Sequence, residues 1–151
     1  MAIVHQVLSL PDLDEVYAYA FSKLEKREPN EQDRLFYSWS AKWRKESLEH
    51  YLKLGWSFIA RDEQTQQAVG YFLAQPFLFF RGQTQTLWVD HVETNDADIE
   101  KELVDIAVKV AREKHLQRVL FADAEKLAKA LESWNPEPLE SNILIIKTTK
   151  G

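Results

Sequence analysis

Residues 104–121, VDIAVKVAREKHLQRVLF, read as an amphipathic helix that runs into a strand. Traced back to Ile99, the apolar side chains recur at Ile99, Leu103, Ile106, Ala107 and Val110. That spacing puts them on one face of a helix. Residues 118–122 (RVLFA) follow as a strand, and residues 84–93 (TQTLWVDHVE) precede the helix as another. A helix joining two strands of one sheet is a crossover, so these two strands are expected to be parallel.

Working upstream, residues 56–62 (WSFIARD), 68–80 (AVGYFLAQPFLFF) and 84–93 are three strands separated by the short turns 63–67 and Arg81-Gly82-Gln83. Short turns between strands predict an antiparallel meander. Pro76 has no N–H for a ladder and marks a bulge or an edge. Residues 2–9 read as a further strand. After Pro11, the side chains Leu13, Val16, Tyr17, Ala20, Phe21 and Leu24 define an amphipathic helix. Pro29-Asn30 ends it. A second helix is expected to carry Leu35, Phe36, Trp39, Trp43, Leu48, Tyr51 and Leu52, with Gly55 as its stop. Four residues apart, Trp39 and Trp43 fall on one stripe, expected in the core or lining a cleft. Lys42, Arg44 and Lys45 read as a solvated face. Downstream, a short helix over 125–134 and a last strand over 142–148 complete the chain.

The 151 residues suit one domain, taken as 1–151, with 45% hydrophobic and 28% charged residues. The net charge of −5 argues against nucleic acid and against anionic membranes as partners. With no cysteine there is no disulfide, thiolate metal site or cysteine nucleophile. His5, His50, His91 and His115 have no metal-ligand spacing, and no metal is expected. Neither a signal peptide nor a membrane span is visible, so the expected location is the cytoplasm.

The order is strand, two helices, three antiparallel strands, helix, strand, helix, strand. It resembles the GNAT (N-acetyltransferase) superfamily over nearly the whole chain, with residues 104–121 similar to the family's third helix and following strand. The resemblance implies an α/β (α+β) fold: a mixed, mostly antiparallel sheet with one splayed parallel pair and helices on both faces. It also implies acetyl-CoA in the V between the splayed strands.

The family's glycine-rich loop, approximately V-x-P-x-x-[RQ]-x-x-G-x-G/A, presents bare backbone N–H groups to the pyrophosphate. Here the corresponding stretch is His91–Leu103, HVETNDADIEKEL, and no glycine occurs from Gln83 to Lys150. Matched on Leu103, the glycine positions fall on Asp96, Asp98 and Glu100, and the arginine position on Asn95. Like charges this close repel by about 1 kcal/mol in water and more in a cleft. Asn95 or Asp96 as N-cap, with acids in the first turn, makes a self-sufficient helix start. The family's N-x-x-A-x-x-L-Y is matched over Glu125–Glu132 only at Ala128 and Leu131. Glu125 replaces the asparagine and Glu132 the tyrosine, and the last tyrosine in the chain is Tyr71.

The expectation from these departures is a GNAT-fold binding or regulatory module with lost or weakened CoA binding and no cofactor. The alternative is a divergent acyltransferase moving an acetyl group from acetyl-CoA to an amine. In that alternative the resemblance implies a base among Asp90, His91 and Glu93, with cofactor contacts from Trp88, Val89, Val92 and Asn95. Alternation places Asp90 on one face of the strand and His91 with Glu93 on the other. A third option is an amine or peptide ligand drawn by the acidic lip. The aromatic run with Phe77, Phe79 and Phe80 is a candidate surface for a protein partner or a homodimer.

Overall fold

The computed structural model describes residues 2–80, 83–139 and 146–147. Strands β1 (Ile3–Val7), β2 (Phe58–Asp62), β3 (Ala68–Phe80), β4 (Gln83–Glu93) and β5 (Arg118–Phe121) form one sheet in that spatial order. The first four are antiparallel neighbours, and β4 and β5 are parallel. Helices α1 (Leu13–Arg27), α2 (Glu31–Ser40) and α3 (Lys45–Leu52) join β1 to β2. Helix α4 (Ala97–Glu113) is the crossover from β4 to β5, and the single turn α5 (Ala128–Leu131) follows β5. No helix of the described residues is long and apolar enough to cross a membrane.

Period-two alternation along β3 sorts its side chains to two cores. Phe72 and Ala74 pack with Ile99, Leu103, Val104 and Ala107 of α4. Tyr71 and Leu73 pack with Val16, Ala20 and Leu24 of α1 and with Leu48 and Leu52 of α3. Helices therefore cover both faces of the sheet. The α4 stripe predicted from Ile99, Leu103 and Ala107 is fully buried, with Val104 and Ala111 added to it; Ile106 and Val110 are half-buried at its edge. Burying each large aliphatic side chain here stabilises the fold by about 1.5–3 kcal/mol.

The region read as one helix between Asn30 and Gly55 is two. Ala41 (ψ 151°) and Arg44 (ψ 156°) are extended and separate α2 from α3. The break lets Trp43 turn inward, where its ring meets Tyr17 at 5.5 Å and Phe21 at 6.2 Å. Trp39 stays on α2 and is 61% exposed, whereas Trp43 is 2% exposed, so the two do not share a stripe. Packing of one indole overrides helical periodicity here. The same break releases Lys42 from the solvated face assigned to it and turns it toward β4, while Arg44 and Lys45 remain exposed. Gly55, at φ +79°, does sit beyond the end of α3 as a left-handed stop.

The bulge lies three residues from Pro76. Leu73 pairs with His91 and Ala74 with Val89, which leaves Asp90 as the extra residue of β4. Pro76 itself pairs with Leu87, but β3 has no β2 partner beyond Phe72, so the proline occupies a local edge. The helix expected over 125–134 contracts to α5 and a 3-10 turn, Glu132–Trp134, with the Trp134 indole donating to Asp105 at 2.8 Å. Most of the strand expected over 142–148 lies outside the described residues. So do the side chains of Phe79 and Phe80; Phe77 stacks on Trp88 at 6.4 Å.

Candidate ligand cleft

The parallel ladder between β4 and β5 runs from Thr86–Arg118 to Val89–Phe121 and ends with Ala122 N–H donating to the Val89 carbonyl at 3.0 Å. β4 continues to Glu93 without β5 beside it. The bulge at Asp90 sits where the two strands part. Leu87, Val89 and Val92 all face the α4 core, so the phase of β4 shifts by one residue between Val89 and Val92. That shift corrects the alternation expected from sequence: Asp90, His91 and Glu93 share one face. The face is the one covered by α1, α2 and α3, where Tyr71 meets His91 at 5.6 Å.

Two ammonium groups bridge the gap. Lys42 Nζ donates to the Asp90 carbonyl at 2.9 Å and to Asp123 Oδ2 at 3.0 Å. Lys126 Nζ donates to the Val92 carbonyl at 3.2 Å and lies 3.5 Å from Glu93 Oε2. Arg27 reaches the other oxygen of Glu93 at 3.8 Å. Glu93 is 5% exposed and needs such partners. Around them lies a cleft of about 410 Å³, walled by Arg27, Tyr37, Lys42, His91, Glu93 and Lys126 among others. It continues into a smaller hollow of about 220 Å³ beside Thr94 and Asn95.

Burial and the positive charges of Lys126 and Lys42 push the His91 pKa down to about 3, so the imidazole is neutral at pH 7. Its Nε2 is buried and has no partner among the described residues. The Tyr71 hydroxyl is in the same state, its pKa raised by burial and by the charge of Glu93. Burial also raises Tyr19 to about 12 and raises Tyr51, which faces Asp90.

The start of α4 is closed by its own side chain. Asp96 is the N-cap, and its carboxylate accepts from Asp98 N–H at 2.8 Å and Ile99 N–H at 3.2 Å. Thr94 anchors the preceding turn by donating to the Val69 carbonyl at 2.7 Å. Gly70 leaves room for this turn: an added Cβ would lie 3.0 Å from Thr94 Cβ and 3.2 Å from the Glu93 carbonyl.

Of the residues singled out in the sequence, Asp90, His91 and Glu93 come together on the cleft side of β4. Val92 lends its carbonyl to the gap while its side chain is buried against α4, and Asn95 lines the rim. Trp88 and Val89 fall outside the gap, because their strand edge is already paired with Leu120 and Phe121. The cations were missed. Lys23, Lys26 and Arg27 stand at i, i+3 and i+4 on α1, a spacing visible in sequence, but nothing local says which loop that stripe faces. The acidic lip is therefore only half of the electrostatics: five cations, Lys23, Lys26, Arg27, Lys42 and Lys126, line the cleft against the carboxylates of Glu93 and Asp123.

No protein-family model matches the chain, and no curated protein matches it in sequence. Solved structures match it closely in shape. A ribosomal-protein-alanine N-acetyltransferase from Brucella melitensis biovar Abortus 2308 superposes with a TM-score of 0.65 at 18% identity, covering 97% of this chain and 99% of that one. A probable acetyltransferase from Staphylococcus epidermidis ATCC 12228 gives 0.66 at 16% identity, over 92% and 86%. An aminoglycoside acetyltransferase from an uncultured soil metagenomic sample, in complex with sisomicin, gives 0.65 at 16% identity, over 98% and 97%. Five strands with one parallel, splayed pair, helices on both faces, and these superpositions over nearly the full chain lead to one statement: the chain has the fold of the GNAT N-acetyltransferases.

Proposed function

We propose that the chain is a ligand-binding module built on the acetyltransferase fold, and that its cleft does not seat coenzyme A. One observation carries this reading: the free edge of β4 is occupied by the protein itself. The carbonyls of Asp90 and Val92 beyond the splay already accept from Lys42 and Lys126. A pantetheine arm lying along that edge must displace two ammonium groups and leave Glu93 with fewer partners. The first N–H groups of α4, the natural seat for a pyrophosphate, are satisfied by Asp96, with Asp98 and Glu100 in the same turn. The residues present therefore fit the carrier poorly at both ends.

Isothermal titration with acetyl-CoA, and separately with coenzyme A, tests the reading. The expected result is no saturable heat up to about 1 mM ligand, a binding free energy weaker than about 4 kcal/mol. One-to-one binding at micromolar ligand sinks it.

A second reading, acyl transfer to an amine, is favoured by one feature. His91 is neutral, with an Nε2 beside the cleft that has no partner among the described residues, and with Glu93 two residues on. Its free lone pair can accept a hydrogen bond from an incoming amine and orient it, while a pKa near 3 makes it a weak base at pH 7. If acetyl-CoA binds, thiol release with a panel of amines, compared with His91→Gln, decides whether that imidazole takes part.

A further inference from the structure

The hollow beside Thr94 and Asn95 has four cations, Lys23, Lys26, Arg27 and Lys126, and one carboxylate, Glu93, in its wall. Glu100 adds a second acid within the field of Lys126. The carboxylate of Asp96 is turned to its own helix. Four positive charges thus face two negative ones, in a protein whose overall charge is −5. Cations in the last turns of α1 complement the carbonyl end of that helix. This does not account for Lys126, which follows β5 and enters the hollow from another side. Nor does it account for Lys23, whose ammonium lies 4.8 Å from the centre of the Tyr19 ring and whose pKa is lowered by burial and by Lys26. The lysines crowd one another, and a cleft with low-dielectric walls concentrates their field.

We infer that this corner binds a compact, multiply charged oxyanion of the phosphate class, gripped by side-chain cations from α1 and from the segment after β5. The inference names a ligand class for the binding module proposed above and rests on that reading. A monocarboxylate matches one of the two uncompensated charges, whereas a phosphate dianion matches both. The tetrahedral oxygens meet donors arriving from two directions, and Arg27 adds a forked donor. Glu93 acts as the placeholder. It holds Arg27 and Lys126 in position when no anion is there, and it opposes the anion when one arrives.

Titration of the whole chain with sodium pyrophosphate and with inorganic phosphate, at constant ionic strength, is the test. One-to-one binding of pyrophosphate is expected. It should weaken by at least about tenfold in the Lys26→Ala/Lys126→Ala variant and tighten in Glu93→Gln. Lys109→Ala/Lys129→Ala, two exposed lysines away from the hollow, should bind like the parent. Lys26 and Lys126 are also exposed, so their variant should fold, which far-ultraviolet circular dichroism checks. No saturable pyrophosphate binding, or equal weakening in both double variants, overturns the inference. Coenzyme A on the same samples separates the two claims. Coenzyme A binding together with pyrophosphate binding removes the module reading and leaves the corner; loss of pyrophosphate binding alone removes only the corner.

Discussion

The two halves of β4 follow different rules. From Thr86 to Val89 the strand is paired on both edges, and Leu87 and Val89 are buried against the α4 core. From Asp90 to Glu93 one edge is released, the pleat slips by a residue, and Asp90 shares a face with His91 and Glu93, the two that line the cleft. The first half contributes stability and leaves no backbone edge free for a ligand. Among the described residues, the second half keeps two buried polar atoms unpaired close by and holds a buried carboxylate in place with borrowed cations. One strand can do both because the bulge at Asp90 uncouples the two faces at the point where β5 departs.

The sharpest way to separate the halves is to damage the first. Leu87→Ala removes a fully buried side chain, and the expected loss is about 3 kcal/mol in chemical denaturation. Pyrophosphate affinity should stay within about twofold of the parent if the halves are independent. A parallel loss of affinity breaks the comparison.

Acid is the next lever, and it acts on the second half. His91 titrates near 6.5 in the unfolded chain and near 3 in the folded one. Between those values the unfolded state binds the extra proton, so stability falls as pH is lowered through 6.5 and levels off near 3. At about 1.4 kcal/mol per pH unit, the loss between pH 7 and pH 5 is about 2 kcal/mol. His91→Gln should flatten that limb relative to the parent, and an unchanged pH profile contradicts the assignment.

The smallest effect is expected at the turn that follows β4. Asp96→Ala deletes the cap of α4 and should cost about 1 kcal/mol in thermal or chemical unfolding. Pyrophosphate affinity should stay within about twofold of the parent, since that carboxylate is turned to its own helix and away from the hollow. A larger change in affinity points to Asp96 as part of the binding corner.

Much of the paired half was legible in the sequence, and little of the cleft was. The α4 stripe at Ile99, Leu103 and Ala107, the meander and the parallel crossover all follow from periodicity and connection length, which are local properties. Local chemistry in the same way narrows the N-cap to Asn95 or Asp96, and the structure has Asp96. The break at Ala41 does not, because what drives it is the fit of Trp43 against Tyr17 and Phe21, residues more than twenty positions away. The bulge at Asp90 also depends on a partner strand, so strict alternation put Asp90 on the wrong side. The lysines were the largest omission. A charge run at Lys42, Arg44 and Lys45 looks like solvated surface until a helix break turns one member inward. Lys126 looks like any helix-flanking lysine until its ammonium meets the Val92 carbonyl.

The Asp96 cap has a further consequence. Where a ligand supplies the anion at a helix start, the helix frays when the ligand leaves, and occupancy is written into local order. Here α4 carries its own anion by covalent attachment, at an effective concentration no free ligand matches. The cap of the first turn of α4 therefore does not depend on a ligand. Occupancy of the cleft would be felt first by the side chains that line it, and by the Thr94-Asn95 turn, before it reached the crossover that joins β4 to β5.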